Sequence, residues 1–355
     1  MKILLLGEFS GLYKNLYDGL KELGKDVYWA SNGDGWKKIQ GANTYIYPGV
    51  KNLKDKVKNC IFFPLIDRRF KGYDVVQAVT PFIYPWWINE IAMGRIQLNN
   101  RKFFINAAGA DCFQYNAYLN GKFKYYMYDD NPKLVSEFDE KSIKSKIMCH
   151  GVRKIYIKAD GIIPVVPYDY EVPFEGFSNL KRTILLPINY RKIEYKDNVI
   201  SGKINFFHGI NRPVDKGSKY IVEAMRIIEK KYPKYVKCTI VKRLPYNEYV
   251  NILSNANIII DQCKGYGYGM NACISLAQGK IVMSGSEPDF IKAGNLYDCP
   301  IFNITPDVRQ IVDQMEEIIE NKNKFIEMGE NGRNYIIKHH NYIEIAKQYV
   351  EEWRK

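Results

Sequence analysis

Short apolar runs alternate with segments of helical period along the first half of the chain: "KILLL" at the start, "DVYWA" (Asp26 to Ala30), "TYIYP" (Thr44 to Pro48), "DVVQAV" (Asp74 to Val79), "KFFIN" (Lys102 to Asn106) and "GIIPVV" (Gly161 to Val166). Between the first two, Leu12, Leu16, Leu20 and Leu23 recur at helical spacing and Gly24 supplies a stop signal, which predicts a βαβ unit. Such alternation predicts a parallel sheet covered by helices. A polar, Lys-rich stretch from Asn189 to Lys203 interrupts the pattern and is the expected domain boundary. The alternation then restarts. "INFFHG" (Ile204 to Gly209), "VKCTIV" (Val236 to Val241), "NIIID" (Asn257 to Asp261) and "KIVMSG" (Lys280 to Gly285) are its strands, with helices over Ser218 to Lys231 and Tyr246 to Ala256. The fold class is therefore α/β, two doubly wound Rossmann-like domains facing across a cleft. The expected domains are 1–190 and 200–337. A terminal helix over 338–355 carries the apolar stripe Ile343, Ala346, Tyr349, Val350 and Trp353 and must pack on something.

Composition narrows this picture. With 355 residues, 46% of them apolar and 14% aromatic, both domains can bury cores, and no apolar run approaches the ~20 residues of a bilayer span. Seven scattered cysteines fit neither a disulfide framework nor a zinc site, so the expected location is the cytoplasm, with the inner face of the cell membrane as an option. A formal charge of +13 calls for an anionic partner. The basic residues are dispersed and no nucleic-acid module is present, so nucleic acid is the least fitting choice. The segment Gly49 to Gly72, with Lys54, Lys56, Lys58, Arg68, Arg69 and Lys71 among apolar residues, is either a docking segment for an anionic membrane or a helix against its own core.

Ligands of such sheets bind outside the carboxyl ends of the strands. In "HGINRPVDKGSKY" (His208 to Tyr220), Arg212 and Lys216 lie between a strand end and a helix start, which suits a diphosphate. In "GYGYGMNACISLAQGK" (Gly265 to Lys280), alternating glycines follow a strand and open a helix, so backbone N–H groups are available to an anion. Asp111 in "AAGADCF" is either an acceptor-orienting acid or an N-cap. His150 is a candidate for meeting the donor, while His208, His339 and His340 are expected to be structural.

The order strand, R-x-x-x-K-G, helix, then "LPYNEYVNILSNANIIIDQ", then a Gly-rich loop and a helix closing on "AQGKIVMSG", resembles the C-terminal domain of GT-B glycosyltransferases of the retaining, nucleotide-sugar-dependent, family 4-like kind. The N-terminal "MKILLLGEFSGLYKNLYDGLKELGKDV" resembles their acceptor-side domain, and the segment from Phe302 to Trp353 their closing helices, the last crossing back onto the first domain. The resemblance implies that Arg212 and Lys216 hold the donor diphosphate, so that Lys216→Ala abolishes turnover with the fold intact. It places Gly11, Gly267, Tyr268, Gly269, Met270, Asn271 and Leu244 in the donor site with Arg212 and Lys216 as catalytic residues; strand-end position adds Asp111 to the catalytic set, and Glu287 is the acid expected to supply a donor-sugar contact. It further implies a nucleotide-diphosphate-sugar as substrate, no cofactor or metal, and a glycan or lipid-linked acceptor in bacterial surface polysaccharide assembly. The departure is that Tyr266 and Ile274 stand where the family carries two glutamates, which leaves Tyr266 as a candidate to pack against the donor sugar or base. A binding protein that scaffolds another transferase, or a sugar-nucleotide epimerase, are the alternatives.

Overall fold

The computed structural model describes residues 1–46, 68–242 and 255–355, with Lys54, Val57 and Leu253 besides. Leu244, most of the basic segment from Gly49 and the expected helix from Tyr246 lie outside the described residues.

Six strands, β1 (Lys2–Leu6), β2 (Asp26–Ser31), β3 (Thr44–Tyr45), β4 (Val75–Ala78), β5 (Lys102–Ala107) and β6 (Gly161–Pro164), form an all-parallel sheet in the order β3-β2-β1-β4-β5-β6. Their near-continuous apolar runs are buried, as a sheet covered on both faces requires. Five more, β7 (Ile204–Ile210), β8 (Val236–Lys242), β9 (Ile258–Ile260), β10 (Ile281–Ser284) and β11 (Phe302–Asn303), form a second parallel sheet, β11-β10-β9-β7-β8. The order reverses at β1/β4 in one sheet and at β7/β9 in the other, and those are the positions where doubly wound sheets open a crevice.

The helices that matter for the site are α1 (Leu12–Glu22), α2 (Trp86–Leu98), α3 (Cys112–Leu119), α4 (Pro132–Phe138) and α5 (Ile143–Ile157) in the first half. In the second half they are α6 (Ser218–Lys231), α7 (Met270–Ala277), α8 (Pro288–Gly294), α9 (Val308–Glu320), α10 (Phe325–His339) and α11 (Tyr342–Arg354). The last helix returns to the first sheet. Trp353 donates its indole N–H to Gln77 at 2.9 Å, and Asn106 donates to the Tyr349 hydroxyl at 2.8 Å. It crosses α1 so closely that a Cβ on Gly19 would stand 2.3 Å from the Tyr342 carbonyl oxygen, so only glycine fits there.

One apolar core runs from Ile3 through the first domain, across Tyr266, Tyr268, Met270 and Phe290 of the second, to Trp353. A separate core, from Ile204 to Phe325, lies under α6 and α9. The two domains are thus joined by packed side chains on one side of the cleft.

Candidate functional site

At the end of β7 the chain turns through Arg212 and enters α6 after Gly217, whose φ of +70° needs glycine. Arg212 is exposed, and its guanidinium has no ion-pair or hydrogen-bond partner among the described residues. Lys216 is different. It is buried, with Nζ 2.5 Å from Asp261 Oδ1, and Asn271 donates to the same oxygen at 2.9 Å. Burial alone would push the Asp261 carboxyl up, but the Lys216 charge and the bonds from Lys216 and Asn271 outweigh it and hold it below the usual carboxylate range. The cation expected on the diphosphate is therefore already neutralised by Asp261, just after β9, and the same carboxylate holds Asn271 at the start of α7. Below it, His208 bonds the Ile260 carbonyl oxygen at 2.7 Å and the Ser218 hydroxyl at 2.9 Å, and burial lowers its pKa to about 4. It is a neutral, structural histidine.

The Gly-rich loop answers to a residue of the other domain. The Tyr266 N–H donates to Asp169 Oδ1 at 3.2 Å, the Tyr126 hydroxyl donates to the same oxygen at 2.9 Å, and the Gly267 N–H also faces the carboxylate and favours its charged form. Asp169 Oδ2 has no hydrogen-bond partner among the described residues. Burial raises this acid to about 7 against the lowering effect of its donors. Gly267 is pinched, since a Cβ there would meet Phe290 and Val166 at 2.6 Å each. The Tyr268 ring turns away from the cleft: its hydroxyl lies 2.6 Å from that of Tyr335 and 2.9 Å from His340 Nε2. Tyr268 is thus core rather than donor-facing, and His340, expected to be structural, supports it.

What remains open is the start of α7. A Cβ on Gly269 would meet nothing within 4 Å, and the Met270 methyl lies 3.8 Å from the position a Cβ would take on Gly11 of the first domain. Met270 therefore faces the loop between β1 and α1 across the strand ends, and Gly269 leaves open space beside it. That loop carries a residue sequence reasoning missed. The Glu8 carboxylate accepts the N–H groups of Phe9 (2.7 Å), Gly11 (2.9 Å) and Lys14 (2.9 Å), and burial raises it to about 7. An acid of the chain itself fills the amide nest where a Rossmann loop would hold phosphate, so the Gly11 N–H is not available to a donor. Its signal was an acid directly after a strand end and just before a helix N-terminus.

Tyr266, at the first of the two departures, is fully buried. Its ring is stacked on Tyr125 (5.4 Å between centroids) and Tyr168 (5.1 Å), and its hydroxyl accepts the Lys124 N–H at 2.7 Å. Glu287 joins this group: its N–H donates to the Tyr266 carbonyl oxygen at 2.9 Å, Asn303 donates to Oε1 at 2.5 Å, and after burial its charge is the main influence raising the Tyr125 hydroxyl. Further along, the same first-domain segment latches onto the second domain through Asn131 to Asp215 (2.8 Å), Asp130 to Lys219 (2.6 Å) and the Asp129 carbonyl oxygen to Lys264.

Two candidates are corrected. Asp111 is the buried N-cap of α3, accepting the Gln114 N–H at 2.9 Å and the Tyr156 hydroxyl at 3.0 Å, with burial raising it to about 6. Both oxygens are engaged by the protein's own structure. His150 is exposed on the outer side of α5 and touches none of the residues above.

No family model matches the sequence, and no curated relative does. Solved structures do match. Sucrose-phosphate synthase from Thermosynechococcus elongatus superposes with a TM-score of 0.66 at 14% identity, covering 100% of this chain and 98% of that one. Anabaena Alr3699/HepE in complex with UDP and glucose gives 0.59 at 13% identity, covering 99% and 98%. The UDP-GlcNAc 2-epimerase of Neisseria meningitidis bound to UDP-GlcNAc gives 0.54 at 11% identity, covering 99% of each. Over its whole length this chain has the GT-B fold, two Rossmann-like domains facing across a cleft.

Proposed function

We propose that the protein is a glycosyltransferase that moves a sugar from a nucleotide-diphosphate donor, UDP-linked by first preference, to a glycan or lipid-linked acceptor. The observation that carries the reading is Arg212, an exposed, unpaired cation on the loop into α6, on the same strand ends as the open start of α7. A guanidinium and a helix N-terminus converging on one crevice suit a departing diphosphate, whose charge grows as the glycosidic bond breaks. The neighbours add support: Alr3699/HepE is solved with UDP-glucose, and Staphylococcus aureus TarM with UDP. Lys216 acts as a positioning residue through Asp261 and Asn271, and Glu287, whose N–H bonds the Tyr266 carbonyl oxygen, stands with Asp169 beside the position of the first missing glutamate. Retention, metal independence and a role in bacterial surface polysaccharide assembly belong to the same proposal. The test is nucleotide release from UDP-, GDP-, ADP- and CMP-sugars by the parent and by Arg212→Ala. Release that Arg212→Ala leaves untouched would remove Arg212 from the site.

A further inference from the structure

Seven of the eighteen large hydrophobic residues exposed among the described residues sit on two adjacent helices of the first domain. On α2 they are Trp86, Trp87, Ile91 (60% exposed) and Leu98 (88%); on α5 they are Ile143 (78%), Ile147 and Ile157. The helices are in contact through Glu90, which pairs with Lys154 at 2.6 Å and lies against Gly151, and through Gln97, which donates to the Ile155 carbonyl oxygen. At 100° per residue, Trp87, Ile91 and Leu98 form one stripe, and Ile143, Ile147 and Ile157 another. Both stripes lie opposite the residues their helices bury against the sheet, so they share one outer face.

Basic residues fill the gaps in that face. Arg95, Lys146 and Lys158 are exposed and form no ion pair among the described residues, and His150 lies between them. α5 carries no acid, and the single acid of α2, Glu90, is the one paired with Lys154. Tryptophans and isoleucines interleaved with unpaired lysines are the composition of an element lying in the headgroup region of an anionic bilayer, where the rings and branched chains enter the boundary and the lysine stems reach outward to phosphate. Both helices run against the parallel strands, so Trp86, Trp87, Ile143 and Ile147 stand at the carboxyl edge of the sheet, beside the cleft.

We infer that this two-helix face docks the protein on an anionic lipid bilayer and so holds the cleft beside the headgroups, where a lipid-linked acceptor presents its sugar. The inference rests on the proposed glycosyltransferase function for its purpose, but not for the docking itself. The test is co-sedimentation of the full chain with vesicles of phosphatidylcholine alone and of phosphatidylcholine with phosphatidylglycerol, at low and high salt. The parent is expected to bind only the anionic vesicles and to be released by salt. Lys146→Glu with Lys158→Glu should weaken partitioning by roughly fivefold or more per residue, and Trp87→Ser with Ile91→Ser should weaken it comparably, with unchanged circular dichroism. Three results would overturn it: no vesicle binding, binding that neither double variant weakens, or a parent dimer that the Trp87/Ile91 variant disperses, which would assign the face to a second copy of this chain. Thermal stabilisation by UDP-glucose is read on the same samples. Stabilisation without vesicle binding removes the docking face alone, and vesicle binding without stabilisation by any nucleotide sugar removes the transferase reading alone.

Discussion

The carboxylate of Asp169, from the first domain, accepts the backbone N–H of Tyr266, the residue that stands on the Gly-rich loop of the second domain where a glutamate is expected. The loop is thereby shaped from across the cleft, and the ring of Tyr266 is clamped between Tyr125 and Tyr168 of that same first domain. The position is an interdomain joint, which explains why an aromatic residue occupies it.

Removing the ring should loosen the joint. Tyr266→Ala takes a fully buried aromatic from a three-ring stack and is expected to destabilise the protein by about 3 to 5 kcal/mol, whereas Tyr266→Phe loses only the bond from the Lys124 N–H, about 1 kcal/mol. Urea unfolding measures both. Equal losses for the two variants would show that the hydroxyl, not the stack, holds the domains together.

The pH dependence follows from three buried acids. Asp169 and Glu8 are raised to about 7 and Asp111 to about 6, so the native state keeps protons that the unfolded chain releases from about pH 4 upward. Their stabilising contribution is complete below about pH 4 and is lost as pH rises through 6 to 7, at up to about 1.4 kcal/mol per pH unit for each proton. Asp261 and Asp298 are shifted the other way, and their contribution is lost only below about pH 4. The buried histidines His208 and His340, lowered to about 4, oppose this with a contribution that grows as pH rises to about 6.5, but the three acids outnumber them and stability should still fall from the acid side of neutrality to pH 8. Asp169→Asn keeps an oxygen for the Tyr266 N–H and removes the charge, so it should be more stable than the parent at pH 8 and show a shallower slope. Unfolding midpoints that rise from pH 5 to pH 8 would contradict this.

How much of this the sequence carries depends on the range of the interaction. Ten of the strands and the helix from Leu12 are readable because their signal is local periodicity, whereas β11, only Phe302–Asn303, is too short to show one. Arg212 and the glycine loop can be singled out as candidates because strand-end position is also local. Asp169 cannot be, since its contact with Tyr266 joins residues 97 apart, and the Tyr266 stack gathers rings from three segments. Lys216 was found but its partner was not, because Asp261 pairs with it from 45 residues away.

That partner reverses one expectation. Lys216→Ala would leave the Asp261 carboxylate buried and unpaired, so the fold will not be left intact; a loss of about 3 to 5 kcal/mol is expected. Adding Asp261→Asn should recover a large part of it. If the single variant unfolds at the parent's urea concentration, the pair contributes nothing to the fold and Lys216 is free for a ligand.

Arg212→Ala should behave in the opposite way. The side chain is exposed and unpaired, so the urea midpoint should not move, while donor turnover falls by ~10² to 10³ if the guanidinium meets charge that develops in the transition state. Steady-state kinetics checks this. A raised KM with unchanged kcat would mean that Arg212 binds ground state and transition state equally.

The central claim is that a nucleotide-diphosphate sugar occupies the crevice between Arg212 and the start of α7, and the most direct measurement is thermal unfolding of the full chain against a panel of UDP-, GDP-, ADP- and CMP-sugars. A donor at about 100 times its Kd should stabilise the native state by about 2.7 kcal/mol, with a smaller shift for Arg212→Ala. An unmoved midpoint across the whole panel would contradict the account and leave a closed GT-B fold that serves as a binding partner.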